Sequence, residues 1–313
     1  MIPLPKLRNR WASALLGLTF FSLPFGHIWY LGISSAFFHT TLSGGEIVKV
    51  AEPAPASPPG DKNEVLKEPP PPETAQKNVW APTKNAVVMA KLQKENTEWV
   101  HELAYWEPVI YKVDDPTARL QPPKNKGNEA MVYLSYIIDF YDNLPLVSAF
   151  VHSHKDGYPK AWHTDAKGYS NVVSLQKLRL DTVLQRGYVN LRCNWIPGCP
   201  DEIQPFRNTD ADRTAEHDYS IAWKAMFGNS STSPPVPETV GAACCAQFAV
   251  SRDRILARTK AEYEQYRNWI LTTPLDNATS GRIMEYMWHI IFGESNVFCP
   301  GYNQCYCDVY GRC

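Results

Sequence analysis

The chain has 313 residues, with 31 lysines and arginines against 32 aspartates and glutamates, a formal net charge of −1. That balance leaves no basic footprint for nucleic acid. The length allows one large domain plus a tail, or two small ones, and the 26 prolines are unevenly spread and mark a separate segment.

Residues 1–10 carry Lys6, Arg8 and Arg10 with no acid and read as a cytoplasmic tail. From Trp11 to Phe38 there is no charged side chain apart from His27. This run exceeds the about 20 apolar residues that span a bilayer. The basic flank comes first, so the positive-inside rule puts the N-terminus in the cytoplasm and the rest in a lumen. The expectation is a signal anchor over 11–38, and hence a single-pass type II membrane protein of the secretory pathway, in the Golgi or endoplasmic reticulum. The alternative is a signal peptide cleaved near Ser34 and Ala36, which would release a secreted chain. Apolar regions of signal peptides are shorter, about 7–15 residues. Residues 39–84 follow as a stem, with nine prolines between Ala51 and Pro82. Such a composition builds no core and favours extended geometry.

The folded domain is expected over 85–313. Ala86 to Ala90 and Val109 to Val113 read as short buried strands. Asn96 or Thr97 would cap a helix through Trp99, Leu103 and Trp106. After a loop at Lys124 to Asn128, the residues Ala130, Tyr133, Leu134, Ile137, Ile138 and Tyr141 form a helical stripe. Leu146 to Val151 is a third strand, ending in His152-Ser153-His154. Strand–helix–strand–helix–strand implies right-handed parallel crossovers. The expected class is therefore α/β, a mixed, mainly parallel sheet with flanking helices. Further strands are expected at 188–192 and 247–250, and helices over 252–271 and from Thr279 or Ser280 through Phe292. Asn229 and Asn277 head glycosylation sequons in loops.

All eight cysteines lie from Cys193 onward, which fits disulfides made in an oxidising compartment. A zinc cluster of Cys299, Cys305, Cys307 and Cys313 competes with that reading, although the spacing lacks the paired knuckles of structural zinc sites. Adjacent cysteines bond to each other only with strain, so Cys244 and Cys245 are expected to take separate partners.

Candidate chemistry gathers at the tip of the third strand, where open α/β sheets bind ligands. At i and i+2, His152 and His154 would face one side and pinch a metal or phosphate, or simply bond loop carbonyls. His163 and Asp165 follow as an imidazole that a carboxylate can orient, as general bases often are. On the last helix Glu285 and His289 stand at i, i+4, as a base with its orienter, a third metal ligand, or part of a solvated face. Asp114 and Asp115 close the second strand as nucleotide contacts or as a turn. Lys124, Asn125 and Gly127 would cradle a phosphate at the helix N-terminus.

This order of elements resembles the nucleotide half of A-type glycosyltransferases. There the third strand ends in Asp-x-Asp, whose carboxylates hold a divalent ion against a sugar-nucleotide diphosphate; here the position is His152-Ser153-His154. Imidazole favours zinc, copper, iron or nickel, whereas magnesium or manganese on a diphosphate prefers oxygen. A late histidine often completes the metal shell in those enzymes, and His289 resembles it by order. The blocks VVMAKLQKENTEW, VDDP, PKNKGNEAMVYLSYIIDFYDNLP, FVHSH, GYVNLRC, CCAQFAVSRDRI and SGRIMEYMWHIIFG, spanning about residues 85–300, are similar to a fungal family, domain of unknown function 3431. The family resemblance brings no mechanism; the likeness to A-type glycosyltransferases implies a luminal enzyme acting on a sugar nucleotide, with manganese or zinc and a small-molecule or glycan acceptor. The alternatives are a histidine-metal oxidoreductase using copper or iron, and a non-catalytic module that keeps the fold.

Overall fold

The structure, a computed structural model, describes residues 84–208, 212–228 and 230–313. The expected tail, anchor and nearly all of the stem lie outside the described residues, as does Asn229. Among the described residues no helix is long and apolar enough to cross a membrane.

The chain opens with β1 (Asn85–Lys91), a short 3-10 turn (Glu98–Glu102) and β2 (Trp106–Lys112). It continues through α1 (Ala130–Asp139), β3 (Val147–Phe150), α2 (Asn171–Lys177), α3 (Leu180–Arg186) and β4 (Tyr188–Asn190). Next come α4 (Thr214–Phe227), β5 (Gly241–Ala242), β6 (Phe248–Ser251), α5 (Arg252–Leu256) and α6 (Lys260–Thr272). The last elements are α7 (Asn277–Glu285), α8 (Trp288–Ile291), β7 (Val297–Phe298) and α9 (Tyr302–Tyr310). The main sheet has the order β2-β1-β3-β6-β4. β1 runs parallel to both β2 and β3, whereas β6 runs antiparallel between β3 and β4. Four strands therefore share one direction, the mixed, mainly parallel sheet that the element order implies.

Strand side chains alternate between two buried faces, which is why these strands are apolar runs rather than polar–apolar alternations. Ala86, Val88, Phe150, Phe248 and Val250 pack with α1, α4, α6, α7 and α8. Val87, Met89, Val147 and Ala149 pack on the opposite side with Trp99, Leu175, Val183 and Val309. Three layers result, with aromatic Phe150, Phe248, Tyr133 and Trp288 in mutual contact at the centre of the first face.

Local chemistry sets the helix boundaries. Asn96 accepts from the Glu98 amide at 2.8 Å, but only a 3-10 turn follows, because Trp106 already belongs to β2. The helix expected over 252–271 is two helices. Ser251 caps the first, and Thr259 with Glu262 forms a full capping box on the second. Replacing Thr259 by alanine leaves the Glu262 amide in the first turn of α6 without its acceptor, and a loss of about 1 kcal/mol is expected. A urea midpoint identical to that of the parent protein would sink this account of the boundary.

Disulfides join Cys193 to Cys305, Cys199 to Cys299, Cys307 to Cys313 and Cys244 to Cys245. The first pins α9 under the end of β4. The competing zinc reading falls, and one expectation is corrected. The cysteines of the proposed zinc cluster are spent in three bridges. The adjacent Cys244 and Cys245 do bond to each other, in a loop whose Cys245 and Ala246 take φ of 89° and 48°. That positive-φ backbone is what brings the two sulfurs together.

Candidate functional site

From β1 the chain crosses to β2 on one side, then returns through α1 to β3 on the other. The strand order thus reverses between β1 and β3, and ligands of open α/β sheets sit outside the carboxyl ends at such a point. A crevice of about 320 Å³ opens there. Its walls are Lys91 and Leu92 at the end of β1, Asn128 and Glu129 before α1, and His152 and His154 after β3. The volume is at the small end of the range for ligand pockets.

The backbone of the His-Ser-His tip is clamped by three buried groups. Gln247 accepts from the His152 amide at 2.8 Å and donates to the His163 carbonyl at 3.1 Å. Asn171 donates to the His154 carbonyl at 2.8 Å, and the Trp99 indole to that of Ser153 at 2.8 Å. These bonds leave the imidazole rings free for other partners.

His152 pairs with His163 rather than His154: their Nδ1 atoms are 3.0 Å apart. The strand ends at Phe150, so the i, i+2 alternation expected of His152 and His154 no longer applies. His154 lines the crevice at the same tip, and its charge depresses both other imidazoles. Burial lowers His152 to about 3, with His163 and His154 adding to the effect. Burial likewise lowers His163 to about 4, helped by His154 and Arg192.

Glu129, the residue before α1, puts a carboxylate oxygen 4.0 Å from His152 Nε2, and their side chains are 20% (His152) and 19% (Glu129) exposed. Burial, and then the charge of Glu285, raises Glu129 to about 8. Contact distance alone suggests an ion pair, but both shifts run against charge and 4.0 Å is too long for a charge-assisted hydrogen bond. At neutral pH the proton therefore sits on Glu129 and the pair is uncharged. His152 Nε2 is buried without a partner, aimed at that carboxyl group.

The other expected residues separate. Asp165 turns from His163 to the chain after β4, accepting from the Cys193 and Asn194 amides at 2.7 and 2.8 Å. Glu285 accepts from the Cys245 amide and from Arg282. His289 does not join it. The helix expected through Phe292 breaks after Glu285, where the Tyr286 carbonyl accepts from the buried Tyr219 hydroxyl at 3.1 Å. His289 instead faces the Asn296 carbonyl at 3.0 Å, and burial lowers it to about 4. Asp114 accepts from the Gln93 amide, and Asp115 caps its own turn through Thr117. Neither aspartate lines the crevice. Of the phosphate loop, Asn125 lines the crevice whereas Lys124 is exposed outside it. Gly127, at φ 68°, packs against Ile270, which a Cβ would approach to 2.8 Å. Its amide donates to Asn277, which stands exposed in the first turn of α7 rather than in a loop.

Sequence reasoning missed Glu129 and Asn171. The signal for Glu129 was a lone acid beside the first residue of a fully buried helix stripe; Asn171 gave none.

For a metal, His152 and His163 offer two nitrogens whose 3.0 Å spacing fits neighbouring positions on one ion at bond lengths of about 2.0–2.1 Å. Neutral imidazole is the ligating form. Among the described residues the group of three or more His, Cys, Asp or Glu atoms within 4.8 Å of one another is Cys244, Cys245 and Glu285, not a histidine set. The tip thus fits an ion only as a two-point hold that a ligand's oxygens would complete.

Fold and site define an α/β protein with a histidine-tipped ligand crevice at the reversal of its sheet. Residues 87–308 match the family described as a protein of unknown function (DUF3431), and the chain belongs to that family. No curated protein and no solved structure matches the chain.

Proposed function

We propose that the domain is a glycosyltransferase-like enzyme that binds a sugar nucleotide in the β1–β3 crevice. One observation carries the reading. The crevice lies at the sheet reversal and is lined by His152 and His154, at the strand end where the order of elements in the sequence resembles the metal motif of A-type glycosyltransferases. Imidazoles lowered to about 3 and 4 are poor general bases at neutral pH, since an effective base titrates near it. They suit metal ligation better, because each ring stays neutral at neutral pH and keeps one nitrogen lone pair. His152 and His163 would hold manganese or zinc, which when bound supplies Lewis-acid stabilisation of the leaving diphosphate. Glu129, protonated at neutral pH, donates a hydrogen bond to a ligand oxygen rather than repelling it. Asp165, Glu285 and His289 take no part in this site as it stands. The same reading keeps the domain luminal, tethered by residues 11–38, with a small-molecule or glycan acceptor.

Calorimetry on the full-length chain with a panel of sugar nucleotides tests it, with and without manganese or zinc. Micromolar binding is expected with one nucleotide, and His152→Ala is expected to weaken it about tenfold, or about 1.4 kcal/mol. No heat with any sugar nucleotide under either metal overturns the proposal. A histidine-metal oxidoreductase is the second reading, favoured by three imidazoles at one tip, which suit copper or iron. Elemental analysis separates the two: stoichiometric copper or iron retained through purification selects the oxidoreductase.

A further inference from the structure

Beyond the crevice lies a second cluster of ligating atoms. The Cys244–Cys245 bridge is buried between β5 and β6. Glu285 stands against it, fixed by the Cys245 amide and by Arg282 at 2.9 Å. Both sulfurs and a Glu285 oxygen lie within 4.8 Å of one another. Arg192 lies 4.0 Å from the Cys245 sulfur on the other side. While the sulfurs are bonded to each other they have no free electron pair of thiolate character, and the cluster is closed to metals.

We propose that Cys244, Cys245 and Glu285 form a redox-gated site for a zinc-class divalent cation. The gating step needs a dithiol reductant. Its two sulfurs close into a cyclic disulfide, the Cys244–Cys245 bond breaks, and each protein sulfur receives one electron and one proton. A divalent ion then displaces both thiol protons to water and forms two metal–sulfur bonds, with Glu285 as the oxygen ligand. Two thiolates select zinc-class ions over magnesium or calcium. In a tetrahedral site the sulfurs stand about 3.8 Å apart, for metal–sulfur bonds of about 2.3 Å. The Cα atoms of the two cysteines stand 3.7 Å apart. The two thiolates, the carboxylate and the dication sum to one negative charge, facing Arg192 and Arg282.

The fold tolerates this opening. The Cys193–Cys305 and Cys199–Cys299 bridges close stretches of 112 and 100 residues, whereas Cys244–Cys245 joins neighbours. Opening the last removes little constraint from the unfolded chain. A cavity of about 290 Å³ ends on Arg282, the side chain that holds Glu285. The cation site does not depend on sugar-nucleotide binding.

The test uses the full-length protein and cobalt(II) as a spectroscopic stand-in. Graded reduction with dithiothreitol, followed by mass-spectrometric mapping of alkylated cysteines, identifies the stage at which Cys244 and Cys245 are free. At that stage one equivalent of cobalt is expected to give a thiolate-to-cobalt charge-transfer band, which zinc abolishes. The oxidised protein is expected to give none. Glu285→Gln is expected to weaken cobalt binding at least tenfold, and the Cys307→Ser, Cys313→Ser double variant to keep the band. No band at stoichiometric cobalt on the reduced protein overturns the proposal. So does a band that persists after Cys244 and Cys245 of the wild type are alkylated, a control that requires no variant to fold.

Discussion

Asp165→Ala is expected to destabilise the domain by about 3–5 kcal/mol, read from urea unfolding followed by tryptophan fluorescence. One carboxylate oxygen holds the Cys193 and Asn194 amides, and the other lies 3.9 Å from the Arg192 Nε. Arg192 is only 5% exposed, and it is also bound to the Trp162 and Ile196 carbonyls at 3.0 and 2.8 Å. Truncation therefore strands two amides, each costing about 1–3 kcal/mol, and leaves a buried guanidinium without its counter-charge. Tyr306 reinforces the point, since burial and then the adjacent Asp165 charge push its hydroxyl well above the usual range. Asp165→Asn keeps an acceptor for the amides and is expected to cost less than alanine. It is also expected to leave ligand affinity in the β1–β3 crevice unchanged. A general base would behave in the opposite way: the Asn variant would fold as well as the parent and lose all turnover. An Asp165→Ala protein with an unshifted urea midpoint sinks the structural role.

The same residue shows where the sequence is readable and where it is not. β1, β2, β3 and α1 announce themselves through short apolar runs and a helical stripe, because both faces of the sheet and one face of α1 must be covered. The position of the His-Ser-His tip follows from those elements and needs nothing else. The partners at that tip do not follow, since His163 reaches His152 across a loop and Gln247 arrives from the residue before β6. Asp165 earned its expected role from adjacency to His163, yet its hydrogen bonds go to residues 28 and 29 positions away. The Glu285–His289 pair assumed an unbroken helix, and a tertiary bond from Tyr219 accompanies the break. β6 inserts antiparallel between β3 and β4, an order fixed by contacts distant in sequence and invisible to periodicity. α4 has a weak stripe, with Glu216, His217, Asp218 and Lys224 along it, and passes as loop.

Stability is expected to peak near about pH 6.5–7 and to fall by about 2–3 kcal/mol between roughly pH 6 and 5. His152, His163 and His289 titrate at about 3, 4 and 4 in the folded protein, against the ordinary 6.5. Below the ordinary value the unfolded chain binds three protons that the native state refuses. This contribution is complete above about pH 6.5 and is lost as pH falls toward 4. Glu129 acts with the opposite sign. Its folded value of about 8 lies above the ordinary 4.5, so its contribution is complete below about pH 4.5 and is lost as pH rises through 8. Between those limits three histidines oppose one carboxyl group, leaving a net two protons, or at most about 2.7 kcal/mol per pH unit. Above about pH 6.5 Glu129 alone remains, and stability declines more gently. Urea midpoints taken at unit intervals from about pH 4.5 to 8.5 draw the curve. Glu129→Gln is expected to remove the alkaline decline and to steepen the acidic limb from a net two protons toward three. His289→Gln is expected to shallow the acidic limb. The reason is local: His289 donates from Nε2 to the Asn296 carbonyl, while its Nδ1 is buried without a partner. Protonation there would place a charge where nothing accepts it. A curve that rises from about pH 6.5 to 4.5 by about 1.4 kcal/mol per pH unit, as Glu129 alone would give, would mean that these imidazoles are charged in the folded protein. In that case the neutral His152–His163 pair, and the metal-holding role built on it, would both have to be given up.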